Sequence, residues 1–141
     1  DFLGSTFLKQ ALYELAPDPK VLTRPVDEGE YQLATARLWK FMEELTPRLW
    51  RKGRAYPQSG RRQIQLMADG EIDLAISFSP SEASAAIAHF ELPKSVRRFD
   101  SIDSGLATLS PAELGRALPE PHPSWVGRIE KEWFDRFGIT H

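Results

Sequence analysis

Three short segments rich in hydroxyl side chains could bind a polar or anionic group, because each stands where the sequence pattern predicts the start of a helix. They are Gly4-Ser5-Thr6, Ser59-Gly60 and Ser79-Pro80-Ser81. The first backbone N–H groups of a helix have no partner within the helix, and the helix dipole makes that end positive. Simple N-capping is the competing interpretation of each segment, and no single segment decides between the two.

Six cationic side chains within fifteen residues form the second chemical feature. An anion or nucleic-acid surface is one interpretation, with the rings of Trp50 and Tyr56 available for stacking. A solvated corner between elements is the other. The net charge of −2 favours that interpretation, so no nucleic-acid partner is predicted. The six are Arg48, Arg51, Lys52, Arg54, Arg61 and Arg62.

The spacing of residues matches no catalytic or metal centre. The absence of cysteine excludes thiolate catalysis, cysteine zinc sites and disulfides. The histidines, His89, His122 and His141, lie far apart and have no carboxylate at ligand spacing. The sequence has no nucleophile elbow, S-x-x-K, P-loop or dinucleotide-binding motif. We therefore predict a protein that is not an enzyme and holds no metal or cofactor.

The elements that position these residues are predicted to alternate between helices and short strands. The length of 141 residues, 41% of them hydrophobic, is typical of one globular domain. Apolar periodicity predicts helices after Ser5-Thr6 and over about 27–45, 60–69, 83–89 and 124–137. Short extended or apolar runs predict strands at 54–56, 72–78 and 95–99. Residues 72–78 are apolar almost throughout, which predicts burial on both faces of a parallel sheet.

This alternation predicts an α/β fold with a central, mixed or mostly parallel sheet flanked by helices. In such sheets, ligands bind where the carboxyl ends of the strands lie side by side. The segments at Ser59 and Ser79 follow predicted strands, and residues 1–3 could end a third. The sheet would bring all three hydroxyl segments to one edge, which makes binding as good an interpretation as capping.

Several stretches resemble the second lobe of bacterial ABC-importer solute-binding proteins of the putative thiamine-type class, which is related to the thiamine, iron and polyamine binders. They are residues 1–15, 49–53 (LWRKG), 56–60 (YPQSG), 69–83 (DGEIDLAISFSPSEA) and 107–126. The resemblance implies one lobe of a type II periplasmic-binding-protein-like fold, with an α/β core over 1–99 and a C-terminal helical segment over 107–141. Residues 100–106 show no clear period and would be a short bridge replacing an excursion to the first lobe.

The resemblance also implies the function, which is capture of a small polar or cationic solute between two lobes and delivery to an ABC permease from the periplasm. This chain would supply one lobe and half of the site, and the first lobe would be its missing partner. Glu82 would face a cation of thiamine-like or polyamine-like chemistry. The matching positions are Ser5, Thr6, Trp50, Tyr56, Ser59, Gly60, Ser79 and Glu82.

The main alternative is the effector-binding lobe of a LysR-type transcriptional regulator, because the effector domains of these regulators have the same two-lobe architecture as the solute-binding proteins. Nothing in the sequence resembles a helix-turn-helix. An enzyme on the same fold would need catalytic groups from outside this chain, and a protein-interaction module is a further alternative. A lobe without its partner would expose apolar surface near Phe2, Phe78 and Phe99, which predicts a homodimer.

Overall fold

Helices make up the regular structure of the described residues, which are 2–77, 81–96 and 119–138 of the computed structural model. The chain is divided into two compact units. The first consists of Asp1–Tyr56 and Leu118–His141, and the second consists of Pro57–Ala117. The α-helices are α1 (Phe2–Leu15), α2 (Glu28–Leu45), α3 (Gly60–Ala68), α4 (Glu82–Ala88) and α5 (Pro123–Phe137). Short 3-10 helices follow α1 and α2, at Pro19–Thr23, Thr46–Arg48 and Trp50–Gly53.

The predicted α/β fold with a central sheet is wrong, because the described residues contain no β-strand. Residues 54–56 and 72–77 are irregular, and so are residues 95 and 96, where the third predicted strand begins. Leu74 is 70% exposed and Ile76 is 42% exposed, so this run is not buried on both faces. An apolar run has the composition of a buried strand, but it forms a strand only where a neighbouring strand is available for hydrogen bonding.

A side chain forms the two hydrogen bonds with the Ile76 backbone that a neighbouring strand would form in a sheet. The carboxamide of Gln63 in α3 donates to the Ile76 carbonyl oxygen at 3.1 Å and accepts from the Ile76 N–H at 3.2 Å. A side-chain amide carries the same donor and acceptor groups as a peptide group, so it can satisfy both backbone groups of one residue. The segment after α3 is therefore fixed by one helical side chain.

The first unit packs α1, α2 and α5 around one apolar core. The helices predicted over 27–45 and 124–137 are confirmed to within one residue. Tyr31 and Leu38 of α2 are buried, as are Trp125, Ile129 and Trp133 of α5. Their spacing of four or seven residues places them on one face of each helix, as the apolar pattern predicted. The core thus joins segments about a hundred residues apart in sequence.

Capping explains where two of these helices begin. The Asp27 carboxylate accepts from Gly29 N–H at 3.0 Å and from Glu30 N–H at 3.1 Å, which fixes the start of α2. His122 plays the same role for α5, because its Nδ1 accepts from the Ser124 N–H. The same ring nitrogen lies 2.8 Å from Ser124 Oγ, so the described contacts of this ring are structural.

Three hydrogen bonds join the loop between α1 and α2 to the start of α5. His122 N–H donates to the Leu22 carbonyl oxygen at 2.8 Å, and the Trp125 indole N–H donates to the Arg24 carbonyl oxygen at 2.8 Å. Val26 N–H donates to Ser124 Oγ at 2.9 Å. The loop and the last helix therefore hold each other in place.

The second unit contains α3 and α4, and a residue with left-handed backbone angles follows the end of each. Gly70, with φ at +73°, follows α3, which confirms that the helix predicted over 60–69 stops before this glycine. Leu66, Ala86 and Leu92 are buried apolar residues in its described part. The predicted boundaries at 99–107 lie outside the described residues. The capping-box spacing at Ser110 also predicts a short helix from that residue, and this helix lies outside them too. No helix in the described ranges has the length and apolar character needed to cross a membrane.

Candidate functional site

A carboxylate lies against the start of α3 and brings together three of the residues proposed from sequence. Ser59 caps α3, with its Oγ accepting from Arg62 N–H at 3.2 Å. A Cβ placed on Gly60 would lie 3.2 Å from Oε1 of Glu82, so the missing side chain makes room for this carboxylate. Ser77 Oγ donates a short hydrogen bond to Glu82 Oε2.

Glu82 lies where two helices begin. It is the first residue of α4, and its Oε1 would lie 3.2 Å from a Cβ placed on Gly60, the first residue of α3. In the described part of the chain, no lysine or arginine lies within ion-pair distance of it. The partly exposed carboxylate can therefore accept a cation from outside the chain.

Ser5 and Thr6 do not open a helix, contrary to the prediction. The first helix begins at Phe2, so both residues lie inside α1. Ser5 Oγ donates a short hydrogen bond to Glu130 of α5. Ser5 therefore joins two helices of the first unit, and its proposed role in ligand binding stays a prediction.

Trp50 and Tyr56 also lie in the first unit, and both rings are engaged within the chain. The Arg51 guanidinium lies 4.4 Å from the centroid of the Trp50 ring. Tyr56 packs edge-on against the buried Trp133 with ring centroids 5.1 Å apart, and burial raises the pKa of its hydroxyl. The Tyr56 ring thus packs against the helical core, and its proposed role in stacking on a ligand stays a prediction.

The convergence of three hydroxyl segments at a sheet edge is also wrong for the described residues, because no sheet is present there to align them. Ser79 lies outside the described residues. The side chains of Phe2, Phe78 and Phe99, named for the predicted dimer face, lie outside them as well.

Two side chains of this unit were not singled out from the sequence. Ser77, which contacts Glu82, lies within an apolar run, and Gln63, which bonds the Ile76 backbone, lies on a helix, so neither stands out by residue type or spacing. In the described ranges, no three His, Asp or Glu side chains cluster closely enough to hold a metal ion.

A separate open cavity lies at the end of α4 and has a volume of about 450 Å³. Ile87, Leu92 and Pro93 give it apolar walls, and Glu91 supplies a carboxylate. Phe90, also in its lining, is 88% exposed and has a φ of +59°, a region that bulky side chains rarely occupy. The second unit therefore has one carboxylate at this cavity, that of Glu91, and another at the start of α3, that of Glu82.

The six predicted cations divide between the two units. Arg61 and Arg62 belong to the second unit. Residues 48–54 of the first unit, which we name the basic turn, carry the other four, and all four are exposed. Arg51 and Lys52 adopt left-handed backbone angles, with φ of 51° and 57°.

Among known proteins, this chain is similar to Protein YnjB of Escherichia coli (strain K12). The two are 28% identical over 200 aligned residues, which include all of this chain and 51% of the relative. The chain therefore spans about half the length of this relative. Its name states no activity, no family model matches the chain, and no solved structure matches it.

The alignment is longer than the chain itself. It covers 200 positions, whereas the chain has 141 residues, so at least 59 positions of the relative (200 − 141) have no residue opposite them here. The relative thus contains additional sequence within the matched region as well as outside it.

Proposed function

We propose that this chain is part of the periplasmic solute-binding component of an ABC importer and that it helps to capture a small cationic solute for delivery to a permease. The observation that carries the proposal is the Glu82 carboxylate, which lies beside Ser59 and Gly60 without a cationic partner in the described residues. A fixed carboxylate of this kind pairs with an ammonium or a thiazolium-like cation.

The sequence resemblance supports the same function, because two of its stretches, 56–60 and 69–83, contain Ser59, Gly60, Ser77 and Glu82. The match covers only 51% of the relative, which supports a partial site rather than a complete one. The positions missing from this chain support the hypothesis that residues 100–106 replace a longer segment. We therefore expect weak solute binding by this chain alone.

Weak binding is best measured by a titration that also reports where the solute binds. We would add thiamine and, separately, spermidine to isotopically labelled protein and follow the backbone amide resonances. Shifts concentrated at Gly60, Ser77 and Glu82, with a dissociation constant in the millimolar range, would support the proposal.

Two variants make this titration decisive. Glu82→Gln keeps the size of the side chain and removes its charge, so it should abolish the shifts. Glu91→Gln removes a carboxylate from the same unit, at the separate cavity, and should leave them unchanged. Absence of shifts with both solutes, or equal shifts in Glu82→Gln, would contradict the assignment. Loss of binding in Glu91→Gln alone would place the solute in the cavity instead.

A further inference from the structure

The four cations of the basic turn have no anionic partner among the described residues. Arg48, Arg51, Lys52 and Arg54 are exposed, and none forms an ion pair there. Arg128 of the same unit, by contrast, bonds two carboxylates. The turn is therefore a local concentration of positive charge that the described part of the fold does not neutralise.

The backbone of the turn is fixed in a conformation that its residues do not favour by themselves. Arg51 and Lys52 are left-handed, which is costly for residues with a side chain. Gly53 is buried, and a Cβ there would lie 2.4 Å from Cγ2 of Thr46, so the turn packs tightly against the end of α2. Lys52 N–H also donates to the Leu49 carbonyl oxygen at 2.8 Å. The exposed cations are thus presented on a fixed turn.

Two apolar side chains lie among the cations of this turn. Leu49 and Trp50 are partly exposed, and the Arg51 guanidinium stacks on the Trp50 ring. Tryptophan beside arginine and lysine is typical of the interface between a bilayer and water, where the ring lies among headgroups and the cations contact phosphates. One face of the ring is covered by the guanidinium, which reduces its use for stacking on nucleic-acid bases.

We propose that the basic turn is a docking surface for an anionic lipid bilayer. The net charge of −2 does not oppose this, because at physiological salt charges act over about 8 Å and the local cations dominate at contact. The proposal involves no residue of the Glu82 site, so it can be tested without a solute.

The test is cosedimentation of the full chain with vesicles made of phosphatidylcholine alone or with an equal amount of phosphatidylglycerol. We expect binding only to the anionic vesicles, and less of it at high salt. The double variant Arg51→Gln/Lys52→Gln should weaken binding about tenfold or more, since each cation near the surface contributes about fivefold. The matched control is Arg37→Gln/Lys40→Gln, which removes two exposed cations from α2 and should change binding less than twofold.

Quenching by brominated lipid provides a second readout at the turn itself. Trp39, Trp125 and Trp133 are buried, so quenching of tryptophan fluorescence should come from Trp50 and disappear in Trp50→Phe. Thermal unfolding of each variant checks that it is folded. Absence of binding to anionic vesicles, or equal weakening in the control, would overturn the proposal. Binding to duplex DNA or polyglutamate that depends on Arg51 and Lys52, without vesicle binding, would overturn it in favour of another polyanion.

Discussion

The Tyr31 hydroxyl of α2 donates a 2.5 Å hydrogen bond to Oε2 of Glu132 in α5, 101 residues further along the chain. Arg128 Nη1 and Arg136 Nε donate to the same carboxylate at 3.2 and 2.7 Å. Burial alone raises the pKa of Glu132, but the bonds from Tyr31 and Arg136 and the charges of both arginines outweigh it, so the pKa is lowered. Burial and the same carboxylate raise the pKa of Tyr31 well above its ordinary value.

Tyr31→Phe should destabilise the protein by about 1.5–3 kcal/mol, because it removes a hydrogen bond to a charged group in a buried position. Tyr13→Phe is the matched control. Its hydroxyl is also buried, but it has no hydrogen-bond partner in the described residues, so its loss should cost close to nothing. Urea unfolding followed by circular dichroism measures both. Equal losses for the two variants would show that the bond to Glu132 contributes nothing specific.

Acidification should remove the contribution of Glu132. Its pKa in the folded protein lies below the ordinary value of 4.5, so the folded state binds fewer protons than the unfolded state as the pH falls through that region. The stabilisation is therefore complete above the ordinary pKa and is lost as the pH falls through the lowered one.

The difference in unfolding free energy between wild type and Glu132→Gln isolates this effect, because other carboxylates titrate in both proteins. We expect the difference to stay constant from neutral pH to about pH 5 and to shrink below it. A difference that grows on acidification would mean that the pKa of Glu132 is raised in the fold.

Gly53→Ala should destabilise the first unit more than Gly138→Ala. Both glycines have positive φ, +71° and +60°, so alanine is strained by about 1 kcal/mol at either position. At Gly53 the new Cβ would also collide with Thr46, at 2.4 Å, whereas at Gly138 it would meet no atom of the described residues within 4 Å. Thermal unfolding compares the two, and equal shifts in Tm would show that the turn can move away from α2.

Gln63→Ala should loosen the segment after α3. The Ile76 N–H would lose its partner, and we expect its hydrogen exchange to accelerate about tenfold, the change that a net hydrogen bond of about 1.4 kcal/mol gives. Gln65→Ala is the control, because the exposed Gln65 side chain on the same helix bonds the Arg62 side chain and no other described residue. Unchanged exchange at Ile76 in Gln63→Ala would show that the carboxamide does not protect this segment.

The sequence predicted the helices better than the tertiary arrangement, for a physical reason. Helical periodicity and its end signals, such as Gly70 and Gly138, are local, so α2, α3 and α5 could be placed closely. A strand depends on a partner that local sequence does not specify. Residues 72–77 have the composition of a buried strand, yet a glutamine side chain supplies the bonds of Ile76.

The candidate site was predicted in part. Ser59, Gly60 and Glu82 meet because each lies at the start of a helix, which short-range pattern can identify. Ser5 and Tyr56 contact Glu130 and Trp133, which both belong to the last helix. Such distant pairing cannot be inferred from one sequence without knowledge of the fold.

The core shared by α1, α2 and α5 has a consequence for how the protein is made. During translation, α1 and α2 leave the ribosome long before the last helix, which contributes Trp125, Ile129 and Trp133 to that core. Until then, the apolar faces of the first two helices have no permanent cover. The nascent chain therefore passes through a stage in which a chaperone that binds apolar segments would find an open helical pair. This core is complete only once α5 has been made, so a stop codon placed just before Pro123 should be as damaging to the core as one placed within α2.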